Sequence, residues 1–230
     1  MGIMSRATRG VAVAACVALG SCGGGGSSGA SGPLVLIPLN QSYAGYSYAD
    51  LAGGWWNWCS SIAYATNPVA SDPTGALAGV GQDGPIWFLA GTFGGFAERT
   101  VTIPAGKALF FPLFNSAFWL PEDAPSLAAC ATLAAGGPDT ATALECEVDG
   151  HSLGNMFDQR VPAGPFLLDI PPLGIFTEPI FGGYAPGTRT SMADGFWVFL
   201  KPLPAGPHEI HLHGEAPGFD TEVLYHLTVQ

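Results

Sequence analysis

Short apolar runs bounded by turn residues dominate the chain from about residue 82 onward. Runs of four to nine residues separated by Gly, Pro or Asp-Gly are typical of β-strands joined by tight turns. Their number and irregular spacing predict an all-β fold, an antiparallel β-sandwich of the jelly-roll or immunoglobulin-like kind. The predicted strands are residues 86–90, 99–103, 108–114, 145–148, 166–170, 196–201, 208–213 and 221–229.

Two segments depart from this pattern and predict short helices inserted among the strands. In residues 47–64 the apolar positions, three tryptophans among them, recur every three to four residues, and Ser47 and Asp50 are spaced as an N-terminal capping pair. Residues 125–135 are rich in alanine and are followed by a Gly-Gly pair. A tryptophan cluster can stack on sugars, but at helical spacing it is typical of a core, and we expect these tryptophans to be buried.

Alternation of polar and apolar residues marks the last two predicted strands. Such alternation places all the polar side chains of a strand on one face. If residues 208–213 and 221–229 form an antiparallel hairpin, their polar faces coincide. The titratable side chains expected on this shared face are Glu209, His211, His213, Glu222 and His226.

These five side chains allow two interpretations. Histidines two residues apart on a strand can bind one metal ion, Zn²⁺ or Cu²⁺ by the preference of neutral imidazole, with a neighbouring carboxylate completing the site. Alternatively, they form a solvated face of Glu–His pairs that holds no cofactor. If residues 196–201 pair with residues 208–213 through a Pro-Ala-Gly turn, we expect the polar face of the hairpin to be covered. Histidines removed from water need partners, which favours the metal site.

The N-terminal residues carry the marks of export. Arg6 and Arg9 precede an apolar run at residues 11–19, which is too short to cross a membrane as a helix and is typical of a signal peptide. The tetrapeptide Leu19-Gly20-Ser21-Cys22 resembles a bacterial lipobox, which implies cleavage before Cys22 and lipidation of its thiol. A stretch of Gly, Ser and Ala follows, as in flexible tethers. The chain therefore divides into a signal peptide at 1–21, a lipidated Cys and tether at 22–32, and a single β-sandwich domain at 33–230.

Charge and composition bear on location and partners. The formal net charge is −11, and loss of residues 1–21 removes two arginines and no acid, which leaves five basic and 18 acidic residues. This balance argues against nucleic acid and anionic lipid headgroups as partners. We expect attachment to a membrane only through the lipid on Cys22. Gly23, instead of an acidic residue, favours the outer membrane in a cell that has one, so the expected location is the extracytoplasmic cell envelope.

Three cysteines remain in the expected oxidising compartment after Cys22 is lipidated. Thiols there tend to pair, and three cannot all pair within one chain. Cys130 and Cys146 flank a Gly/Pro-containing loop and are the favoured disulfide, whereas Cys59 lies in the tryptophan-rich stretch and is expected to be buried.

Three segments carry distinctive motifs: Trp55-Trp56-Asn57-Trp58, GPIWFLAGT at 84–92, and IPAGKALFFP at 103–112. They resemble a group of uncharacterised secreted bacterial proteins, and the likeness extends over about residues 40–230. The resemblance implies an exported single domain and brings no activity with it.

Two classes of function fit these observations. The first, which we expect, is a lipid-anchored binding or envelope-structural module without catalytic residues or a cofactor. It would present aromatic loop residues to a glycan, a polymer or an envelope protein, and the candidates are Phe118, Trp119 and Tyr184. The alternative is a metal-binding extracytoplasmic protein, or a metal-dependent enzyme, that uses the histidine and glutamate set.

The lipobox resemblance makes a direct prediction about export. Cys22→Ser removes the thiol that would carry the lipid, so metabolic labelling with a radioactive fatty acid should be abolished and the protein should leave the detergent phase. Labelling and detergent-phase partition that are unchanged in this variant would contradict lipidation at Cys22.

Overall fold

Residues 36–230 are described by a computed structural model of the chain. The predicted signal peptide, Cys22 and the tether lie outside these residues. The described part holds two α-helices and nine β-strands, with short 3-10 helices between them. In chain order they are α1 (Tyr48–Ser61), β1 (Ile86–Phe88), β2 (Gly95–Ile103), β3 (Ala108–Trp119), α2 (Leu127–Gly136), β4 (Ala143–Val148), β5 (His151–Ser152), β6 (Ala163–Ile170), β7 (Gly187–Leu200), β8 (Gly206–Ala216) and β9 (Phe219–Val229).

The strands form two sheets, which confirms the predicted all-β, sandwich-like fold with short inserted helices. One sheet has the order β1-β3-β7-β6 and the other the order β2-β9-β8-β4-β5. Most neighbours are antiparallel, but β1 runs parallel to β3 and β2 runs parallel to β9. The sheets are therefore mixed rather than wholly antiparallel. Hairpin spacing in the sequence does not reveal these two parallel pairs. Between the paired strands the chain passes through the other sheet.

Alternate side chains from both sheets form the core between them. In β2, β4, β8 and β9, buried and more exposed residues alternate as the pleat requires. The opposing side chains come from β3 and β7. Full burial of one large aliphatic or aromatic side chain stabilises the fold by about 1.5–3 kcal/mol. Members of this core include Leu109, Phe111, Val198, Ile210, Leu212 and Val223.

Helix α1 covers the other face of the four-stranded sheet. The predicted capping pair is confirmed: the Asp50 carboxylate accepts the Ser47 N–H at 2.9 Å, and the Ser47 hydroxyl accepts the Asp50 N–H at 3.2 Å. Trp55 packs against Trp197 of β7 with ring centroids 5.8 Å apart, and all three helix tryptophans are buried as expected. The helix ends at Ser61, earlier than predicted, because residues 64–66 turn into a 3-10 helix.

Close approach of α1 also protects β6, an edge strand. A Cβ on Gly53 would lie 3.1 Å from Cγ of Phe166, so glycine lets the helix approach β6 this closely. Glycine at this position lowers the intrinsic stability of the helix, and the close packing offsets that loss. The Asn57 side chain donates to the Leu167 carbonyl at 2.8 Å and accepts the Asp169 N–H at 3.0 Å. Two edge groups of β6, the Leu167 carbonyl and the Asp169 N–H, are thereby paired within the chain and cannot pair with another strand.

The predicted second helix is α2, with Ser126 as its N-cap; the Ser126 hydroxyl accepts the Ala129 N–H at 3.2 Å. It packs on β3 and β7 beyond a β-bulge in β3 between Pro112 and Phe114. Ser116 of β3 donates to a carbonyl of α2 at 2.7 Å. This helix therefore covers the part of the four-stranded sheet that the second sheet does not reach.

The predicted pairing of residues 196–201 with 208–213 is wrong. β7 belongs to the four-stranded sheet and β8 to the five-stranded one, so the Pro-Ala-Gly turn at 204–206 carries the chain between sheets. Phe196, Val198 and Leu200 face the core between the sheets instead of lying beside the histidines. The argument that this strand covers the histidines therefore fails.

The predicted Cys130–Cys146 disulfide is also wrong. Within residues 36–230 all three cysteines are unpaired and buried, Cys130 in α2 and Cys146 on the inner face of β4. Burial raises the pKa of the Cys59 thiol to about 12 and also raises that of Cys146. The expectation that Cys59 is a buried thiol is confirmed.

Asn67 closes the segment that follows α1. Its fully buried amide donates to the carbonyls of Cys59 at 2.8 Å and Ile62 at 3.2 Å. Its oxygen accepts the N–H groups of Val69 at 2.9 Å and Ala70 at 3.3 Å. Asn67 thus provides hydrogen-bond partners for backbone groups at the end of α1 and at the start of the next turn.

Asn67→Leu preserves the approximate volume but removes all four hydrogen bonds. Each buried backbone group left without a partner costs about 1–3 kcal/mol, so we expect the free energy of unfolding in urea to fall by roughly 3 kcal/mol or more. Asn40→Leu, at an exposed position, is the control and should stay within about 0.5 kcal/mol of the wild type. Equal losses in both variants would show that the Asn67 hydrogen bonds do not have this role.

Candidate functional site

The outer face of the five-stranded sheet, which we call the histidine face, carries the residues predicted to bind metal. β8 and β9 form the predicted antiparallel hairpin, although their turn is only Pro217-Gly218. Alternation along both strands places the five expected side chains on this face, as the sequence indicates. The register sets Glu209 opposite His226 and His213 opposite Glu222.

Each histidine on this face pairs mainly with a carboxylate of its own. The pairs, each with a nitrogen–oxygen distance of 2.8 Å, are His211 with Glu222, His213 with Asp220, and His226 with Glu98. The histidine side chains are between 22% and 41% exposed. Among residues 36–230 no three His, Cys, Asp or Glu side chains are grouped so as to hold a metal ion. The separate pairs of a carboxylate with a partly exposed histidine are the pairing that the second interpretation describes.

Of the three aromatic residues expected in exposed loops, Trp119 contradicts the expectation. Phe118 and Trp119 are the last residues of β3, and Trp119 is buried against Phe176 and Tyr184, with centroid distances of 5.1 and 4.8 Å. Phe118 and Tyr184 are half-buried. The Tyr184 hydroxyl donates to Asp123 at 2.9 Å, and burial together with this carboxylate raises the pKa of Tyr184 to about 12. The segment between β6 and β7 folds over the end of β3, so Trp119 is not presented to a partner.

A different group of aromatic residues lines a cleft where α1, the loop after β1 and the turn between β8 and β9 meet. Its volume is about 340 Å³, within the range of small-molecule sites. We call it the aromatic cleft. Its aromatic walls are Trp55, Trp56, Phe93, Phe114 and Phe219.

Two buried N–H donors in the wall of the aromatic cleft have no partner in the described part of the chain: Trp56 Nε1 and Asn115 Nδ2. By contrast, Trp55 Nε1 donates to the Leu89 carbonyl at 3.0 Å. Gly195 of β7 pairs with Asn115 of β3, and a Cβ on Gly195 would lie 2.5 Å from Cβ of Asn115, so glycine permits this close approach of the two strands. A buried donor without an acceptor is destabilising by about 1–3 kcal/mol, and such groups call for an explanation.

The remaining polar side chains of the aromatic cleft are satisfied internally. The hydroxyls of Thr92 and Thr221 lie 2.7 Å apart, and Thr140 donates to the Gly137 carbonyl at 2.7 Å. No titratable residue is among those that line the cleft. The cleft therefore offers an apolar, largely aromatic surface, and two of its lining residues carry a buried N–H that has no acceptor in residues 36–230. Such a lining complements a mostly apolar molecule that bears a hydrogen-bond acceptor.

A second cleft of about 350 Å³ adjoins the first and shares Val69, Thr92 and Phe93 with it. Arg99 lines this second space, which we call the arginine cleft. The residue lies in the middle of β2, points inward with the apolar residues of that strand, and is only 2% exposed.

The aromatic cleft is not evident from the sequence, and the site prediction does not include its residues. One signal was available: Asn115 interrupts an apolar run that continues to Trp119, beyond the predicted end of the strand at 114. The walls come from several separate segments between Trp55 and Thr221, and only the order of strands in the sheets brings them together.

Comparisons with known proteins give no relative from which a function could be carried over, so a functional assignment rests on the geometry. No family model, curated protein or solved structure matches the chain. None of the helices within residues 36–230 is long and apolar enough to span a membrane.

The separate pairing of each histidine predicts that added metal does not stabilise the protein. Equimolar Zn²⁺ or Cu²⁺ should change the free energy of unfolding by less than about 0.5 kcal/mol, because a metal that binds only the folded state would raise it. Replacing His211 and His213 together by Gln should lower it by no more than about 1 kcal/mol, since partly exposed pairs contribute little. Stoichiometric metal in the purified wild type that is lost in the double variant would restore the metal interpretation.

Proposed function

We propose that this protein is a lipid-anchored, extracytoplasmic binding protein without catalytic activity, and that its ligand is a small, mostly apolar molecule with a hydrogen-bond-accepting oxygen. The observation that carries the proposal is the pair of buried, unpaired donors, Trp56 Nε1 and Asn115 Nδ2, in an aromatic cleft of about 340 Å³. A ligand carbonyl oxygen that reaches either N–H would satisfy it and remove its desolvation penalty.

The chemistry of the lining supports binding rather than catalysis. The residues around the aromatic cleft supply ring surfaces and N–H groups, and none of them is a general acid or base. The cleft volume favours a small molecule over a glycan chain or polymer, since a chain would need an open groove.

The position of the first described residue supports a role for the anchor. Leu36 forms a β-bridge with Leu200, at the end of β7, whereas Pro217 of the cleft wall lies in the turn after β8. The eleven residues of β8 span roughly 35 Å between these two ends of the sandwich. We propose attachment through a lipid on Cys22, on the outer membrane where the cell has one, with the chain entering the described domain at the end opposite the cleft.

Acetophenone and ethylbenzene provide a matched pair of probes for the aromatic cleft. They have nearly the same shape, but only the ketone accepts hydrogen bonds. We expect the ketone to bind about tenfold more tightly or better in ligand-observed NMR titrations of the mature chain carrying Cys22→Ser, because one satisfied buried donor is worth about 1.4 kcal/mol or more. Equal binding of both probes, or binding of neither, would refute the proposal.

Variants locate the binding in the cleft. Asn115→Leu and Trp56→Phe each remove one donor, so each should reduce the preference for the ketone by several-fold. Trp87→Phe is the control, because Trp87 Nε1 is also buried and unpaired but lies outside the cleft wall. The control should keep the full preference. Asn115→Leu should in addition leave stability unchanged or increased, because it removes an unpaired buried amide.

A further inference from the structure

The arginine cleft continues the aromatic cleft past Phe93. This side chain is 41% exposed, and its ring lies 4.7 Å from that of Phe181, which lines the arginine cleft. Val69, Thr92 and Phe93 belong to both linings, so the two spaces are neighbours and an elongated molecule seated against Trp56 would pass Phe93 to reach the second one.

The guanidinium of Arg99 in the wall of the arginine cleft has only neutral protein acceptors. These acceptors, at distances from 2.6 to 3.1 Å, are the carbonyl oxygens of Pro68, Asp72, Ala90 and Gly91 and the hydroxyl oxygen of Tyr225. Nη2 donates only to Pro68, although it carries two hydrogens. One N–H of this buried group therefore remains without an acceptor among residues 36–230.

No ion pair compensates this charge directly. Within the described residues Arg99 makes no salt bridge, whereas Arg160 and Arg189 both do. Asp72 is buried in the same wall, but its carboxylate is already occupied by four main-chain N–H groups, those of Thr74, Gly75, Ala76 and Leu77. The Asp72 carboxylate keeps its negative charge and offsets part of the Arg99 charge, but it makes no direct contact with the guanidinium. A ligand carboxylate would add the charge-assisted hydrogen bond that Arg99 lacks.

We propose that the ligand is an organic anion whose apolar, oxygen-bearing body lies in the aromatic cleft and whose carboxylate extends past Phe93 to pair with Arg99. The inference rests on the proposed function and adds the ligand's charge and elongated shape. The free N–H of Nη2 is the donor expected to meet the carboxylate.

Benzoyl-alkanoic acids test this geometry without any change to the protein. Each probe joins the acetophenone group to a carboxylate, and its carboxamide is a neutral molecule of the same shape. We would titrate 3-benzoylpropanoate, 5-benzoylpentanoate and 7-benzoylheptanoate, and each carboxamide, into the mature chain carrying Cys22→Ser. At one length at least, the acid should bind about tenfold more tightly than its carboxamide and than acetophenone.

Phe96 permits a matched test of charge that leaves the buried arginine intact. It lines the arginine cleft and is 60% exposed, so polar substitutions there should be tolerated. Phe96→Glu should weaken binding of the preferred acid by about threefold or more relative to Phe96→Gln at low salt, because a carboxylate near the ligand repels it. The two variants should bind the carboxamide equally.

The outcomes separate this inference from the proposed function. If carboxamides bind as tightly as acids at every length, or if both Phe96 variants affect the acid equally, the pairing with Arg99 is refuted while the aromatic cleft stands. If acetophenone and all the benzoyl compounds fail to bind, the proposed function falls and this inference falls with it.

Discussion

Burial of the four-stranded sheet on both faces is the constraint on which the rest of the structure depends. Every residue of β3 from 108 to 113 and of β7 from 193 to 200 is buried, so neither face of these strands can be left in water. The second sheet covers one face, and α1 covers the other. This cover requires α1 to approach the sheet closely. Gly53 of α1 leaves room for Phe166, and the Asn57 side chain forms hydrogen bonds with the edge of β6.

The aromatic cleft lies at the edge of the three layers formed by α1 and the two sheets. Trp56 comes from the helix, Asn115 from the four-stranded sheet, and Phe219 from the five-stranded sheet, so each layer contributes one wall. Two asparagines of the chain illustrate different uses of the same side chain. Asn67 is fully buried and makes four hydrogen bonds, whereas the amide nitrogen of Asn115 makes none. The same residue type thus holds the backbone at one position and leaves a donor without a partner at the other. Asn115 differs from other unpaired buried groups of residues 36–230, such as Trp87 Nε1 and Trp197 Nε1, because it belongs to the lining of a cleft.

The sequence predicts the layers of this fold better than their connections. Alternation and turn residues identify eight of the nine strands, the capping pair, and the hairpin of β8 and β9, because these are local properties. The partners of β7, the parallel pairs and the unpaired state of Cys130 and Cys146 depend on which sheet each strand joins, and no local pattern contains that information. The site prediction has the same limit: adjacent histidines are visible in the sequence, while the cleft is assembled from segments that are far apart. Arg99 shows the limit within a single strand: alternation with Val101 and Ile103 places it on the inward face, but its hydrogen-bond partners and its cleft come from distant segments.

The overall charge of the protein and the local charge at Arg99 act on an anionic ligand over different distances. Without residues 1–21 the chain has 18 acidic and five basic residues, and acidic side chains populate the histidine face. The resulting negative field extends about one Debye length, roughly 8 Å at physiological salt, so it repels an approaching anion and slows association. Inside the arginine cleft, water is partly excluded and the guanidinium acts at hydrogen-bond distance, so its attraction is much less screened. Salt should then speed association by weakening the repulsion and should have little effect on dissociation. Selectivity for an anion in an acidic protein therefore depends on one buried cation rather than on a basic surface.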